Sequence, residues 1–505
     1  MKKSELLEHA KPFYEDEQLL ELEHAIDIAS KAHRGQKRKS GEPYITHPLS
    51  VASILVDWGM DIDTVLAGVL HDTVEDTDVT LEKLETLFGK DVAFLVDGVT
   101  KVSQARAGMQ DLTEYLPQTK DNLSKLLIAI GHDVRVIIIK LADRLHNLQT
   151  LQYMSKAKQI KIARESLEVF APMADRLGMG RVRMQIEELA FSYLNPAEFQ
   201  KLQNLMRKRL GKSTRKLGGV RNEVEKALTT QHIKHEINGR VKSIYSLHKK
   251  LLKGERTIDD IYDLMALRVI VENKEDCYRV LGVLHTLYQP MIARIKDYIS
   301  VPKPNGYQSL HTTVLTPSEQ IVEFQIRTHD MHNVSEYGVA AHWLYKDGRA
   351  KDAQFDQKMN WLRQLLEWQR DVAEAEEFVE SFKTDIFQNQ VFVYTPAGDL
   401  KELPAGSTPL DFAFRIHSDL VFRCIGAKVN GKLVPLTYKL QNGDTVQVLT
   451  SNTVRSPSLD WLNQEAGYIR TASARARVRQ WFKRQERSAN IQRGRDMYKK
   501  QIKRL

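Results

Sequence analysis

The stretch Ala67-Gly-Val-Leu-His-Asp-Thr-Val-Glu-Asp-Thr77 sets a His-Asp pair, His71 and Asp72, four residues ahead of a Glu-Asp pair, Glu75 and Asp76. On a helix, positions four apart lie one above the other, so His71 faces Glu75 and Asp72 faces Asp76. An imidazole and a carboxylate can hold a divalent metal, and two further carboxylates beside them can orient or deprotonate water. The lead-in Val65-Leu-Ala-Gly-Val-Leu70 is apolar and puts the pair deep in a packed helix. A buried His-Asp pair needs a partner, and a metal supplies one.

Around this stretch, residues 1–200 read almost wholly as helix. Apolar residues recur at helical spacing through Leu19–Ala32, Ser50–Met60, Leu81–Leu95 and Lys161–Ala171. The pattern predicts an all-α domain of many short helices. A basic loop, Arg34-Gly-Gln-Lys-Arg-Lys-Ser-Gly-Glu-Pro-Tyr-Ile-Thr-His47, interrupts it. Its cations beside Tyr44 suit a phosphate-bearing base. Further on, Ile137-Ile-Ile-Lys-Leu-Ala-Asp-Arg-Leu-His-Asn147 predicts a helix with Asp143 and Asn147 on one face. Asp143 follows an apolar run, as His71-Asp72 does, and is the expected fourth metal ligand.

The 505 residues are 42% apolar and 28% charged, the profile of a soluble chain of about three domains. No apolar run reaches the ~18 residues of a membrane helix, and no signal-peptide core is present, so a cytoplasmic protein with no membrane partner is expected. The two cysteines, Cys277 and Cys424, match neither a zinc spacing nor a disulfide framework. Residues 466–505 carry 13 Lys/Arg against 2 Asp/Glu, which leaves residues 1–465 near neutral within the net charge of +9.

His47, then His71-Asp72, then Asp143 resembles the signature of HD-type metal phosphohydrolases. Together with Arg38-Lys-Ser-Gly-Glu-Pro-Tyr44 and Leu141-Ala-Asp-Arg-Leu-His-Asn147, it resembles the hydrolase domain of the RelA/SpoT family, which makes and destroys (p)ppGpp. The resemblance implies that His47, His71, Asp72 and Asp143 bind Mn2+. It implies that Glu75 and Asp76 act on the water that removes the 3′-pyrophosphate. Arg38, Lys39, Ser40, Tyr44, Asn147 and Thr150 would line the guanosine pocket. The family usually has Arg where this chain has Gln149.

Residues 200–230 read as a charged helical connector. Residues 238–350 then mix helical stretches with the β-rich runs Ala266–Val271, His311–Leu315 and Ile321–Ile326, which predicts a mixed sheet with helices packed on it. Asp263 precedes one strand, and Glu323 lies inside another with Gln325 and Arg327 following at period 2. Two carboxylates converging from neighbouring strands suit a Mg2+-nucleotide site. Gly239–Lys250 reads as about three turns carrying Arg240, Lys242, Lys249 and Lys250, an array that can hold a triphosphate. The Pro- and Asn-Gly-containing loop Asp297–His311 presents Lys303, Tyr307, Gln308 and His311.

These blocks resemble the synthetase domain of the same family, above all Lys303-Pro-Asn-Gly-Tyr-Gln-Ser-Leu-His311, Glu323-Phe-Gln-Ile-Arg-Thr328 and Glu336-Tyr-Gly-Val-Ala-Ala-His-Trp343. The resemblance implies pyrophosphate transfer from ATP to the 3′-OH of GDP or GTP. Glu323 would bind Mg2+ and act as the base, and Asp263 would be the other magnesium ligand. Tyr307 would stack on guanine, and Arg240 and Arg268 would flank adenine. Lys242, Ser243, Lys249, Lys303 and His332 would lie near phosphates, with Asn305, Gln308, His311, Gln325 and Arg327 also lining the nucleotide site. Arg294-Ile-Lys-Asp297 matches the R-x-K-D form of bifunctional members.

Residues 390–451 read as strand, turn, strand, helix, strand, with Ser407 or Thr408 capping the helix and hairpins at Asn430-Gly431 and Asn442-Gly443. This resembles a TGS module, which in the family contacts uncharged tRNA on the ribosome; His417 is the position carried over for that contact. The basic tail suits phosphate-backbone contact with RNA and resembles the start of the family's helical regulatory domain; the family's zinc-finger-like and ACT domains do not follow in these 505 residues.

The expected architecture is multidomain: an all-α HD-type hydrolase domain (1–195), a helical connector (196–237) and an α/β mixed-sheet, nucleotidyltransferase-like synthetase domain (238–346). A helical linker (347–388), a small β-grasp TGS domain (389–451) and a basic helical C-terminal segment (452–505) follow. Other readings left open are a member with one live site, and a tRNA- or ribosome-binding regulator without chemistry.

Overall fold

The computed structural model describes residues 1–107, 133–252, 265–303, 305–317, 320–341, 390–416, 418–451, 457–463, 465–471, 474–475, 477–479 and 481–482. Asp263, His417, the linker at 347–388 and the tail beyond residue 482 lie outside the described residues. The chain divides into two compact units, one of residues 1–104 with 126–363 and one of residues 105–125 with 364–505.

The first unit opens with helices α1 (Lys3–Ala10), α2 (Asp16–Ala32), α3 (Thr46–Asp57), α4 (Ile62–Leu70), the single turn α5 (Thr73–Asp76) and α6 (Leu81–Ala107), which kinks at Gly89, where φ is +87°. They continue as α7 (Arg135–Gln149), α8 (Lys156–Glu165), α9 (Ala171–Arg176), α10 (Gly180–Leu194) and the long α11 (Pro196–Thr230). A π turn, Ser166–Phe170, joins α8 to α9. Asp61 caps α4 by accepting the Thr64 amide at 2.8 Å, and every residue from Thr64 to Leu70 is buried. Helix α7 is buried all round, from Val136 through Leu145, so it is the central helix of this layer, packed against α3, α4 and α10.

The decisive stretch departs from the expected continuous helix. Helix α4 stops at Leu70 and the chain resumes helical pairing only at Thr73, with Asp72 at φ −95° and ψ −7°. The bond from the Asp76 amide to the Asp72 carbonyl survives at 2.9 Å. The carboxylate of Asp72 accepts the Tyr44 hydroxyl at 2.8 Å. His71-Asp72 therefore sits on a corner, and its side chains converge with α3 and α7 instead of lining one helical stripe.

The sheet of the first unit contains β1 (His235–Val241), β2 (Met265–Val271), β3 (Gln289–Pro290), β4 (Lys296–Asp297), β5 (Leu310–Leu315) and β6 (Ile321–Thr328), in the order β1-β2-β6-β5-β3 with β4 also paired to β5. Only β2 and β6 run parallel, so the sheet is mixed as expected. Helices α12 (Ile244–Leu252), α13 (Lys274–Leu287) and α14 (His329–Tyr337) accompany it. Strand alternation divides its two faces. Leu267, Val269, Phe324, Ile326 and Leu310 join the core with α13 and α11. Their neighbours Arg268, Glu323, Gln325, Arg327 and His311 fall on the opposite face.

One expectation fails here. Gly239–Lys250 is not a run of helical turns: Gly239–Val241 belongs to β1, paired antiparallel to β2, and helix begins only after Ser243. Ladder pairing with β2 claims the backbone of Arg240, and the Ser243 hydroxyl accepts the Ser246 amide at 3.2 Å as the start of α12. Arg240 is thereby a strand residue on the polar face of the sheet.

The second unit pairs β7 (Gln390–Tyr394) with β8 (Leu400–Pro404) and sets β9 (Cys424–Val429) between β10 (Lys432–Val434) and β11 (Val446–Thr450), with α15 (Pro409–Ile416) and α16 (Ser418–Val421) between the pairs. A parallel bridge from Tyr394 to Thr445 ties the two sheets, giving the expected β-grasp arrangement. Thr408 and Asp411 cap α15 reciprocally. Asn430-Gly431 makes the expected hairpin, both with positive φ. Asn442-Gly443 does not: the Asn442 carboxamide oxygen and the Gly443 amide bond instead to the Phe392 backbone at 2.8 Å each, so this turn anchors β7. Residues Ile469, Ala474 and Val478 pack with Leu410 and Phe414 of α15 in one core.

Candidate functional sites

On the helical layer, His47 from α3, His71 from the α4–α5 corner and Asp143 from α7 bring one ligand atom each to within 4.8 Å of one another, all three buried. Asp72 stands beside them, its Oδ1 3.1 Å from His71 Nε2 and its Oδ2 3.7 Å from His47 Nε2. His71 Nδ1 lies 2.8 Å from the Gly68 carbonyl and donates to it, so Nε2 is the atom turned into the cluster, toward Asp72. Two imidazoles and two carboxylates, with their ligand atoms turned toward one another, fit a divalent cation.

The electrostatics follow from burial and neighbours. Burial holds His47 below the usual imidazole range despite Asp143. Burial also opposes charge on His71, but Asp72 and Asp143 outweigh it and push it up to about 9. Asp143 lies well below the usual carboxylate range: burial resists its charge, and Lys140, whose Nζ is 2.7 Å from Oδ2, overcomes that resistance together with His47.

Around this cluster, Arg38 reaches Asn147 Oδ1 at 3.0 Å, and Asn147 in turn donates to Asp143. Tyr44 bridges Asp72 and Asp76 through its hydroxyl and stacks on His33 with ring centres 4.7 Å apart. Lys39 is exposed and Ser40 half-buried, on the turn that ends at Gly41, and Glu75 is exposed on α5. The Thr150 hydroxyl is spent on the His146 carbonyl. His146 was missed by sequence reasoning. Its Nδ1 is 2.7 Å from His47 Nδ1, and burial followed by His47 and Arg38 brings it down to about 3. The signal was there: His146 follows Asp143 by three positions, one helical turn away.

On the sheet, Arg240 donates to Gln325 Oε1 at 2.8 Å, and Gln325 donates to Glu323 Oε1 at 3.0 Å. His311 Nδ1 stands 3.3 Å from the same Glu323 oxygen, and its Nε2 meets the Tyr307 hydroxyl at 2.7 Å. Lys303 sits over the Tyr298 and Tyr307 rings at 4.6 and 5.1 Å. The Asn305 carboxamide accepts the Tyr307 amide, and Gln308 turns back to the Ile299 carbonyl. Arg268, Arg327 and His332 gather around Glu336, at 3.2, 3.9 and 3.9 Å. Glu336 also lay unassigned inside a motif already noted. Arg327 is fully buried, and none of its three guanidinium nitrogens has a hydrogen-bond acceptor. Burial lowers it to about 10 and, with Arg327 and Arg268 nearby, lowers His332 to about 4. Buried unsatisfied cationic donors mark a place for an anion. Ser243 lies at the start of α12 and Lys249 near its end, and Lys242 precedes the helix.

These observations define a helical metal-site domain joined to a sheet domain with a cation-rich polar face, followed by a β-grasp module. Residues 25–180 match the HD domain family, residues 239–350 the region found in RelA/SpoT proteins, and residues 391–450 the TGS domain family. The chain belongs to the RelA/SpoT family. It is similar to a GTP pyrophosphokinase of Myxococcus xanthus, 45% identical over 98% of this chain and 64% of the relative. A bifunctional (p)ppGpp synthase/hydrolase of Mycobacterium tuberculosis is 42% identical over 96% of this chain and 65% of the relative. A probable guanosine-3′,5′-bis(diphosphate) 3′-pyrophosphohydrolase of Synechocystis is 45% identical over 95% and 62%. The chain thus spans less than two thirds of the length of these relatives. Among the described residues no helix is long and apolar enough to cross a membrane.

Proposed function

We propose that the chain is a bifunctional alarmone enzyme, transferring pyrophosphate from ATP to the 3′-OH of GDP or GTP and hydrolysing (p)ppGpp back to GDP or GTP. The observation that carries this reading is the presence, in one chain, of two separate polar sites of different chemistry: a buried His/His/Asp cluster and a carboxylate set among arginines. The names of the relatives, which cover both reactions, agree with it.

In the helical site His47, His71, Asp72 and Asp143 hold Mn2+, which when bound supplies Lewis acidity toward water and phosphoryl oxygen. Glu75 and Asp76, at the mouth, position the attacking water and take its proton. Tyr44 and Arg38, with Lys39, Ser40, Asn147 and Thr150, orient the guanosine nucleotide. In the sheet site Glu323 and Asp263 hold Mg2+, and Glu323 accepts the proton of the 3′-OH. Tyr307 stacks on guanine; Arg240 and Arg268 flank adenine. The unsatisfied Arg327 donors, with Lys242, Ser243, Lys249, Lys303 and His332, neutralise phosphates, which favours in-line attack without a covalent intermediate. The second unit, through His417 and the basic tail, meets uncharged tRNA and the ribosome, and the protein works in the cytoplasm.

A paired assay on one preparation tests this. It follows ppGpp formation from ATP and GDP with Mg2+, and GDP release from ppGpp with Mn2+. Both reactions run in the unmutated chain; Glu323→Gln abolishes only the first and Asp72→Ala only the second. Absence of either reaction in the unmutated chain reduces it to a one-way enzyme.

A further inference from the structure

Helix α10 begins at Gly180, where the HD match ends, and turns a stripe of side chains toward the sheet domain. Glu187 is 6% exposed, and its Oε1 lies 2.8 Å from Lys249 Nζ of α12, with Arg183 Nη1 at 3.9 Å. Its other oxygen, Oε2, is buried with no hydrogen-bond partner. The next residue, Glu188, is half-buried; burial raises its carboxyl, and the backbone N–H of Ile244, the first residue of α12, opposes that rise. Three and four positions before these, Met184 meets the Arg240 guanidinium, with sulfur and nitrogen 3.8 Å apart. Positions 184, 187 and 188 form one helical face. That face meets three groups suited to an anionic ligand: a guanidinium, an ammonium and the amide end of a helix.

We infer that Glu187 and Glu188 act as an internal anion that competes with the triphosphate of ATP for α12 and so sets the affinity of the sheet site for ATP. The inference rests on the transferase reading above, which assigns Arg240, Ser243 and Lys249 to ATP. The physical reason is the sharing of donors. A triphosphate that takes Lys249 and the Ile244 end of α12 must release both carboxylates, and releasing Glu187 leaves a buried charge without its cation. Part of the binding free energy of ATP is spent on that separation, and the Michaelis constant rises accordingly. The carboxylates touch no reacting atom, so the chemical step itself is not slowed.

Transferase kinetics on the full chain test this, with ATP varied at saturating GDP and Mg2+, and hydrolysis of ppGpp with Mn2+ as the measure of intact fold. Glu187→Gln keeps shape and removes charge. The KM for ATP is expected to fall about three- to tenfold, with kcat held within about twofold and the KM for GDP unchanged. Glu188→Gln shifts KM in the same direction by a smaller factor and serves as the reading if Glu187→Gln does not fold. Adding Lys249→Met to Glu187→Gln removes the gain. An unchanged or raised KM for ATP in variants that still hydrolyse ppGpp overturns the inference while leaving the transferase reading intact. Absence of both product and ATP binding in the unmutated chain overturns the transferase reading and the inference together.

Discussion

His146 shows how a residue beside a site governs it without entering it. Its ring nitrogen faces His47 Nδ1 at 2.7 Å, so the tautomer of His47, and hence which nitrogen is offered to the cluster, depends on it. His146→Ala is expected to weaken divalent-metal binding about 10- to 100-fold, read by calorimetry on the metal-free chain, with transferase activity retained. His71 adds a pH dependence with a definite sign. Asp72 and Asp143 keep it protonated up to about 9 in the metal-free cluster, whereas a metal ligand must be neutral. Loading near neutral pH must therefore release a proton, and apparent metal affinity should rise with pH until about 9 and then level off. Titration in buffers of different ionisation enthalpy reads the proton directly; equal heats in all buffers would contradict it. Arg327 poses the opposite balance. A fully buried guanidinium with no hydrogen-bond acceptor costs the fold and is tolerated where a ligand needs it. Arg327→Met should leave the melting temperature unchanged or raise it, while lowering nucleotide affinity by at least about tenfold.

At the scale of elements, the corner between α4 and α5 and the junction between α10 and α14 do most to position the sites. The first turns His71 and Asp72 toward α3 and α7, so that ligands far apart in sequence meet. The second is made by backbone. Gly338 has φ +59°, and a Cβ there would run into the Leu177 carbonyl and the Gly178 backbone. The Val339 amide bonds the Leu177 carbonyl at 2.9 Å, and the Asn305 carboxamide reaches the Asp175 carbonyl at 3.4 Å. The end of α14 and the tip of the Tyr307 loop therefore rest on the α9–α10 turn. Gly338→Ala should cost on the order of 2–4 kcal/mol of stability, measured by denaturant unfolding, because both the left-handed backbone and the close approach exclude a methyl group. Wild-type stability in that variant would refute the packing.

Over the whole molecule, the second unit shows how a segment of weak pattern is held. The Asp411 carboxylate accepts the amides of Thr408, Arg470 and Thr471 and the hydroxyls of Thr408 and Thr471, all at 3.1 Å or less. Asp411→Ala would strand these buried donors, and residues 465–479 should then lose protection in hydrogen exchange while the β7–β8 hairpin keeps it. Nothing in the periodicity of 457–482 announced that docking. What the sequence determined by itself was the local and the closely spaced: the helical layer, the strands around Val269 and Phe324, the Asn430-Gly431 hairpin, and the metal-type residues His71, Asp72 and Asp143, to which only the family resemblance added His47. Those follow from periodicity and residue chemistry, which act over a few positions. The tertiary structure decided the rest. It broke the helix at His71, put Arg240 on a strand, set His146 behind His47, and placed Glu187 and Glu188 against α12. Each of these depends on groups tens of residues apart that meet only when buried surfaces pack, and no local spacing encodes which charge will lie beside which.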